Sequence, residues 1–417
     1  MDFKDIAIQN PWWEKSFSME DDFHIQSAHH KPYTFKRSII HELEFQSGNI
    51  HVLRGPRQVG KTTLIKELIS RLIDEKKERN QILYLSCEAI EHFEILRDVL
   101  KNYLSDHSTL SYVFLDEISF IPEWQRAILW LFNTGLLKSS CLVLTGSNAR
   151  DLKESAERLP GRRGEVGNDI QLYPLSLTEY SSLSCFSKYS PTELWKIYRM
   201  VGGFPHAIRD FNEHGIVTDQ TFLTYRNWIV TDAARFNLSE NILKHILFRI
   251  YETLSSQMTW PKLIENTPIR SHETALEYIE HLEDAFLCQV LHCYDPNKKG
   301  PALQKSRKLY FIDPLLYFVS IAWHNGIGDI YRYATRLIED PSFEGKLLES
   351  MWVNHFKRLP NPTYFWYSSS TKQEVDIVVV KNQRMHLYDV KRSHSVVADV
   401  MKQSVECLSI PTQITRT

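Results

Sequence analysis

Short apolar runs alternate with helical patterns through the N-terminal part of the chain. NIHVLR at 49–54, ILYLS at 82–86, YVFL at 112–115, CLVLT at 141–145 and DIQLY at 169–173 are short and rich in branched or aromatic residues. That is the pattern of buried strands. Between the first two, Leu64, Ile65, Leu68, Ile69, Leu72 and Ile73 fall on one face of a helix. Strands alternating with helices predict an α/β fold with a parallel sheet. Residues 1–46 are aromatic and polar without a clear period.

From about 175 to 340 the pattern is mainly helical. Residues 259–287 predict a helix, a turn at Pro268, and a second helix capped by Ser271, with Thr274 where a capping box would carry an acid. KLYFIDP at 308–314 predicts a strand, and this order suggests a winged-helix-like unit. A helix at 343–357 then precedes three strand patterns, FWYS, EVDIVVV and MHLYDVK. No internal repeat or low-complexity stretch is present.

Composition narrows the possibilities. The 417 residues are 43% hydrophobic and 24% charged, which predicts two or three globular domains and not a disordered chain. A net charge of −2 and a pI near 6.8 give no global basic footprint, so any nucleic-acid contact must use a local patch. The six cysteines (Cys87, Cys141, Cys185, Cys288, Cys293, Cys407) form no CxxC pair and read as reduced thiols. The first residues lack the apolar core of a secretory signal, and no uncharged apolar run is long enough to span a membrane. The cytoplasm is the expected compartment.

GPRQVGKT at 55–62 matches G-x-x-x-x-G-K-[ST], between a predicted strand and a predicted helix. Gly55 and Gly60 would let the loop curl so that the N–H groups of Pro56-Arg57-Gln58-Val59 and the following residues, apart from the proline, face phosphate oxygens. Lys61 would meet the β- and γ-phosphates of ATP, and Thr62, followed by Thr63, would offer a hydroxyl to Mg²⁺. YVFLDE at 112–117 places Asp116 at the end of a buried strand, suited to the Mg²⁺ shell, and Glu117 beside it, suited to orienting water. LTGSN at 144–148 ends another strand with Thr145, Ser147 and Asn148, one of which is expected to sense the γ-phosphate.

HVLRGPRQVGKTT, FLDEISFIPEWQRAI, LTGSNARDLKESAERLPGRRGEV, LYPLSLTEY and GGFPHA, in this order, resemble the prokaryotic AAA-type ATPases that carry a C-terminal restriction-endonuclease-like domain. These are related to the STAND-like branch of P-loop ATPases. The resemblance implies an arginine finger at Arg162 or Arg163, acting within one chain or across a homo-oligomer, and a lid motif whose Pro205 approaches adenine. It implies an N-terminal arm (1–46), a P-loop NTPase core (47–180), a helical lid (181–235), a winged-helix-like middle domain (236–325) and a small mixed α/β nuclease-like domain (335–417).

The C-terminal set fits that expectation. Glu349 lies on the predicted helix, Asp376 in EVDIVVV, and Asp389 and Lys391 in YDVK, the order of a PD-(D/E)xK site. Period two puts Asp389 and Lys391 on one strand face. Glu349, Asp376 and Asp389 would bind Mg²⁺ or Mn²⁺, and Lys391 would face the phosphate. Three alternatives stay open: a nuclease gated by nucleotide state, a regulatory switch whose C-terminal domain only binds, and a DNA-remodelling motor. DNA contact is unfavourable for the second helix of the winged-helix pattern, which carries Glu273, Glu277, Glu280, Glu283 and Asp284. Lys298, Lys299, Lys305, Arg307 and Lys308 form the local positive cluster able to grip a DNA backbone.

Overall fold

The computed structural model describes residues 3–29, 43–106, 109–147 and 169–390, which fall into two units divided between Leu172 and Tyr173. The first begins with helices α1 (Phe3–Gln9) and α2 (Phe23–His29). Strand β1 (Ile50–Arg54) leads to α3 (Lys61–Asp74), β2 (Ile82–Ser86), α4 (Phe93–Ser105), β3 (Ser111–Asp116), α5 (Trp124–Asn133), β4 (Ser140–Gly146) and β5 (Asp169–Gln171). The strands pair in the order β2-β3-β4-β1-β5, all parallel. This is the parallel α/β sheet expected.

Strand alternation sorts the core into two faces. Val113 and Leu115 of β3 pack with α4 and α5, whereas Tyr112 and Phe114 pack with Leu64, Ile65 and Leu68 of α3. On β4, Leu142 and Leu144 take the first face, and Cys141 and Val143 the second. The next residues in step on the α3 face are Asp116 and Thr145. The polar ends of two buried strands are thereby aimed at the start of α3.

Edge strand β2 is covered by side chains of the N-terminal arm, although residues 1–46 show no period. The Asn10 amide donates to the Tyr84 carbonyl at 2.8 Å and accepts from the Tyr84 N–H at 2.6 Å, as a neighbouring strand would. The Trp12 and Trp13 indoles donate to the Ile82 carbonyl, and Gln9 accepts from the Ser86 N–H. The arm thus satisfies the Ile82 and Tyr84 carbonyls and the Tyr84 and Ser86 N–H groups of an otherwise open edge.

The second unit continues with α6 (Leu177–Ser181), α7 (Pro191–Val201), α8 (Pro205–His214), α9 (Asp219–Arg235), α10 (Glu240–Glu252), α11 (Trp260–Ile264) and α12 (His272–Asp284). Ser271 caps α12 by accepting from the Thr274 N–H. Then come β6 (Cys288–His292), β7 (Tyr294–Asp295), β8 (Gly300–Pro301) and β9 (Arg307–Phe311). β6 pairs antiparallel with β9, and Met258 bridges Arg307 at the other side of β9. Helices α13 (Pro314–Asn325), α14 (Ile330–Leu337) and α15 (Pro341–Lys357) follow, then β10 (Thr363–Tyr367), β11 (Glu374–Lys381) and β12 (Arg384–Tyr388). The last three strands form an antiparallel sheet in chain order. The predicted strand at 308–314 ends earlier, because Asp313 leaves it to cap α13 through the Leu315 N–H.

Candidate functional site

The loop between β1 and α3 is shaped by two glycines with different tasks. Gly60 has φ +95°, a left-handed conformation that favours glycine. Gly55 is demanded by packing: a Cβ there would stand 2.3 Å from the Leu172 carbonyl oxygen. Gln58 also lies in the left-handed region, and Val59 is buried beneath the loop.

Lys61 is buried, and its ammonium is fully engaged. It donates to the carbonyls of Gly55 at 3.0 Å and Pro56 at 3.1 Å, and lies 2.9 Å from Glu117 Oε1. Glu117 reaches it because its backbone turns into the left-handed region directly after β3. Burial works to raise the Glu117 carboxyl, but Lys61, Arg57 and Ser147 outweigh it and hold it below its ordinary range. Arg57 itself lies over the Phe120 ring at 5.1 Å.

Asp116 gathers three hydroxyls. Thr62 Oγ1 donates to Asp116 Oδ2 at 2.7 Å, Tyr84 Oη to the same oxygen at 3.0 Å, and Thr145 Oγ1 to Oδ1 at 2.5 Å. The Thr145 hydroxyl also accepts from the Glu117 N–H at 2.9 Å, and the Ser147 N–H donates to Glu117 Oε2 at 3.0 Å. Since β4 lies between β1 and β3, its C-terminal end touches both carboxylates at once. A threonine hydroxyl beside an aspartate is a hard-oxygen donor pair of the kind Mg²⁺ prefers, so the residues present fit that ion.

Sequence reasoning missed the layer behind Asp116. Tyr84 links it to the N-terminal arm, and the buried Lys66 ammonium lies over the rings of Tyr84 at 3.8 Å and Trp12 at 4.6 Å, with Asp22 at 3.4 Å. The signal was present: Lys66 falls one turn after Thr62, inside the apolar stripe of α3. Asn148, Arg162, Arg163 and Lys391 lie outside the described residues.

Residues 47–181 match the family model of an AAA domain. This stretch has the α/β fold of a P-loop NTPase and is similar in sequence to AAA domains. Residues 192–322 match a second model, a domain of unknown function (DUF8612). An uncharacterized protein of Haemophilus influenzae is 28% identical over 285 residues, covering 63% of this chain and 67% of that protein. Among solved structures, the Walker-type ATPase PABY2304 of Pyrococcus abyssi aligns at 14% identity, over 65% of this chain and 91% of that one, with a TM-score of 0.45. The ORC2 protein of Aeropyrum pernix aligns at 15% identity, over 69% and 88%, with a TM-score of 0.38.

Outside residues 47–181, GGFP has a packing explanation. A Cβ on Gly202 would stand 1.9 Å from Asp313 Oδ1, and one on Gly203 would stand 1.9 Å from the Leu175 carbonyl oxygen. The Gly203 N–H donates to Asp313 at 2.7 Å. Pro205 opens α8 within the second unit.

The C-terminal acids are partly brought together. The register of β11 with β12 pairs Ile377 with Tyr388, so Asp376 and Asp389 follow as opposite neighbours. Asp376 accepts from the Val390 N–H at 2.8 Å, and burial with the nearby charges of Glu349 and Asp389 pushes its carboxyl up to about 6. Yet among the described residues no three acids, histidines or cysteines are gathered closely enough to hold a metal ion. Glu349 instead accepts from Lys308 at 2.8 Å and from the Tyr310 hydroxyl at 2.5 Å.

The expected positive cluster is correspondingly smaller. Lys298, Lys299 and Lys305 are exposed, but Arg307 and Lys308 are buried. Arg307 packs 4.1 Å over the Trp260 ring and donates to the carbonyls of Leu303 and Lys305. Both residues sit on β9, whose pairing on each side removes them from the surface.

Proposed function

We propose that the chain binds MgATP and hydrolyses it, as a nucleotide-controlled switch whose output is the second unit. The observation that carries this reading is the pairing of Lys61 with Glu117 beside that of Thr62 with Asp116. Lys61 would leave Glu117 for the β- and γ-phosphates, and the loop N–H groups would hold the same anion at the head of α3. Thr62 and Asp116 would hold Mg²⁺, which neutralises phosphate charge when bound. Glu117, released from Lys61 and still held by Ser147, would orient the attacking water. Thr145 touches the Asp116 carboxylate and the Glu117 N–H and suits a sensor of the γ-phosphate. Arg162 or Arg163 would serve as the finger, from the same chain or from a second copy, and Pro205 as the adenine contact.

For the second unit, the engagement of Glu349 by Lys308 and Tyr310 supports a domain that binds without cutting. The opposition of Asp376 and Asp389 supports the other reading, a Mg²⁺- or Mn²⁺-dependent nuclease with Glu349 and Lys391, guided to DNA by Lys298, Lys299 and Lys305. The helix-helix-helix-hairpin order from α10 to β9 suits a winged-helix-like spacer.

Steady-state phosphate release tests the main reading. Lys61→Ala is expected to abolish it, and Glu117→Gln to slow it ~10²–10⁴-fold, the usual share of a positioned base. Wild-type turnover in Glu117→Gln would refute the assignment. DNA cleavage in Mn²⁺ that is lost in Asp376→Ala, with ATP hydrolysis retained, would decide for the nuclease output.

A further inference from the structure

Side chains two apart on a strand share a face. Lys308 and Tyr310 are so related on β9, and Glu374 and Asp376 on β11. Glu349 of α15 meets the first pair. The Lys308 ammonium lies 2.8 Å from Glu349, 2.5 Å from Glu374 and 3.9 Å from Asp376. Its side chain is 1% exposed, whereas the carboxylates around it are 12% to 32% exposed. Burying an ammonium is costly unless it is paired and hydrogen-bonded. The positive charge sits deepest, and the acids form its shell.

We propose that Lys308 is the resident cation of this acid site: its ammonium takes, among Glu349, Glu374 and Asp376, the place a divalent ion would take. This accounts for the lack of a metal-ready group of three acids among the described residues. It goes beyond the proposed function and does not require nuclease activity. A metal ion enters this site only in competition with Lys308, because both need the same carboxylate oxygens. The surplus of acid over base still favours a cation: Glu349, Glu374, Asp376 and the neighbouring Asp389 outnumber the one lysine that reaches them among the described residues. Lys308 is carried by the β6–β9 hairpin and the acids by α15 and β11. The same contact therefore ties the terminal sheet to the middle of the unit.

The test is Mn²⁺ binding to the full chain without nucleotide, followed by the electron paramagnetic resonance signal of free Mn²⁺. Lys308→Met is expected to gain one site at least tenfold tighter than any the wild type shows there, and Lys308→Met/Asp376→Asn to lose it. Its Tm should fall below that of the wild type without metal and recover when Mn²⁺ is added. Lys308→Gln, which keeps a donor for Glu349, should show the same gain if the methionine variant is poorly folded. Unchanged or weaker Mn²⁺ binding in a folded variant overturns the proposal. So does failure of both variants to fold in Mn²⁺, since a resident cation must be replaceable by another. A gained site without DNA cleavage would leave this inference standing while removing the nuclease reading.

Discussion

On the proposed reading, Glu117 occupies the ammonium that ATP would need. Lys61 is 3% exposed and divided between two loop carbonyls and Glu117, so a phosphate must take the ammonium away from a carboxylate 2.9 Å distant. At an effective dielectric of 20 that Coulomb attraction is ~6 kcal/mol. Most of it is offset by the desolvation of both charges, and Glu117 keeps Arg57 and the Ser147 N–H after Lys61 leaves. A net penalty near a quarter of the attraction, ~1.4 kcal/mol, corresponds to about tenfold in Kd. Glu117→Gln removes the charge but retains an oxygen for Ser147. It is therefore expected to bind ATP about tenfold more tightly than the wild type, while hydrolysing it more slowly. Isothermal calorimetry with ATP in the presence of a chelator isolates this term from the Mg²⁺ shell. The gain should vanish when Lys61 is also replaced by Ala, as a double-mutant cycle requires of a direct pair. Equal or weaker binding by Glu117→Gln, or a gain that survives Lys61→Ala, would refute the blocking role.

Two further outcomes test the scaffold. Burial pushes the Asp313 carboxyl from its ordinary 3.8 up to about 6, against the opposing pull of the Gly203 and Leu315 N–H groups. The folded state therefore holds the proton more tightly. This contribution is fully present below about pH 4 and is lost as pH rises through about 6, by at most ~3 kcal/mol. In urea titrations the stability difference between wild type and Asp313→Asn should change across that window, and a constant difference would contradict the assignment. Asn10→Ala should leave the Tyr84 N–H and carbonyl without their partner at the sheet edge and destabilise the first unit by about 2–4 kcal/mol. A tryptophan-fluorescence melt unchanged from wild type would show that the arm does not guard that edge.

The two kinds of knowledge divide along sequence distance. The β1–loop–α3 unit, the buried strand ending in Asp116-Glu117 and the cap at Ser271 were readable from the chain alone. In each, neighbours in sequence are neighbours in space, so period and spacing carry the geometry. The strand pattern likewise announced the parallel sheet, because strands buried on both faces read as short apolar runs. The order of strands was not announced, and it is the order that puts Thr145 against the Asp116 carboxylate and the Glu117 N–H. The arm gave no periodic signal because it contributes single side chains to a strand edge, not a helix face to a core. The resemblance made GGFP a lid motif with Pro205 near adenine, but the packing of its glycines against Asp313 and Leu175 could not be foreseen, because no local pattern connects those residues to them. Lys308 was misplaced most. In a row of basic residues it looked like surface charge, and only the pairing of β9, β11 and α15 encloses it among acids distant in sequence. The chain alone determined the loop and the strand end on which the proposed phosphate site is built. Tertiary structure decided which charges meet, because a buried charge is set by the partners that folding brings to it and not by its neighbours along the backbone.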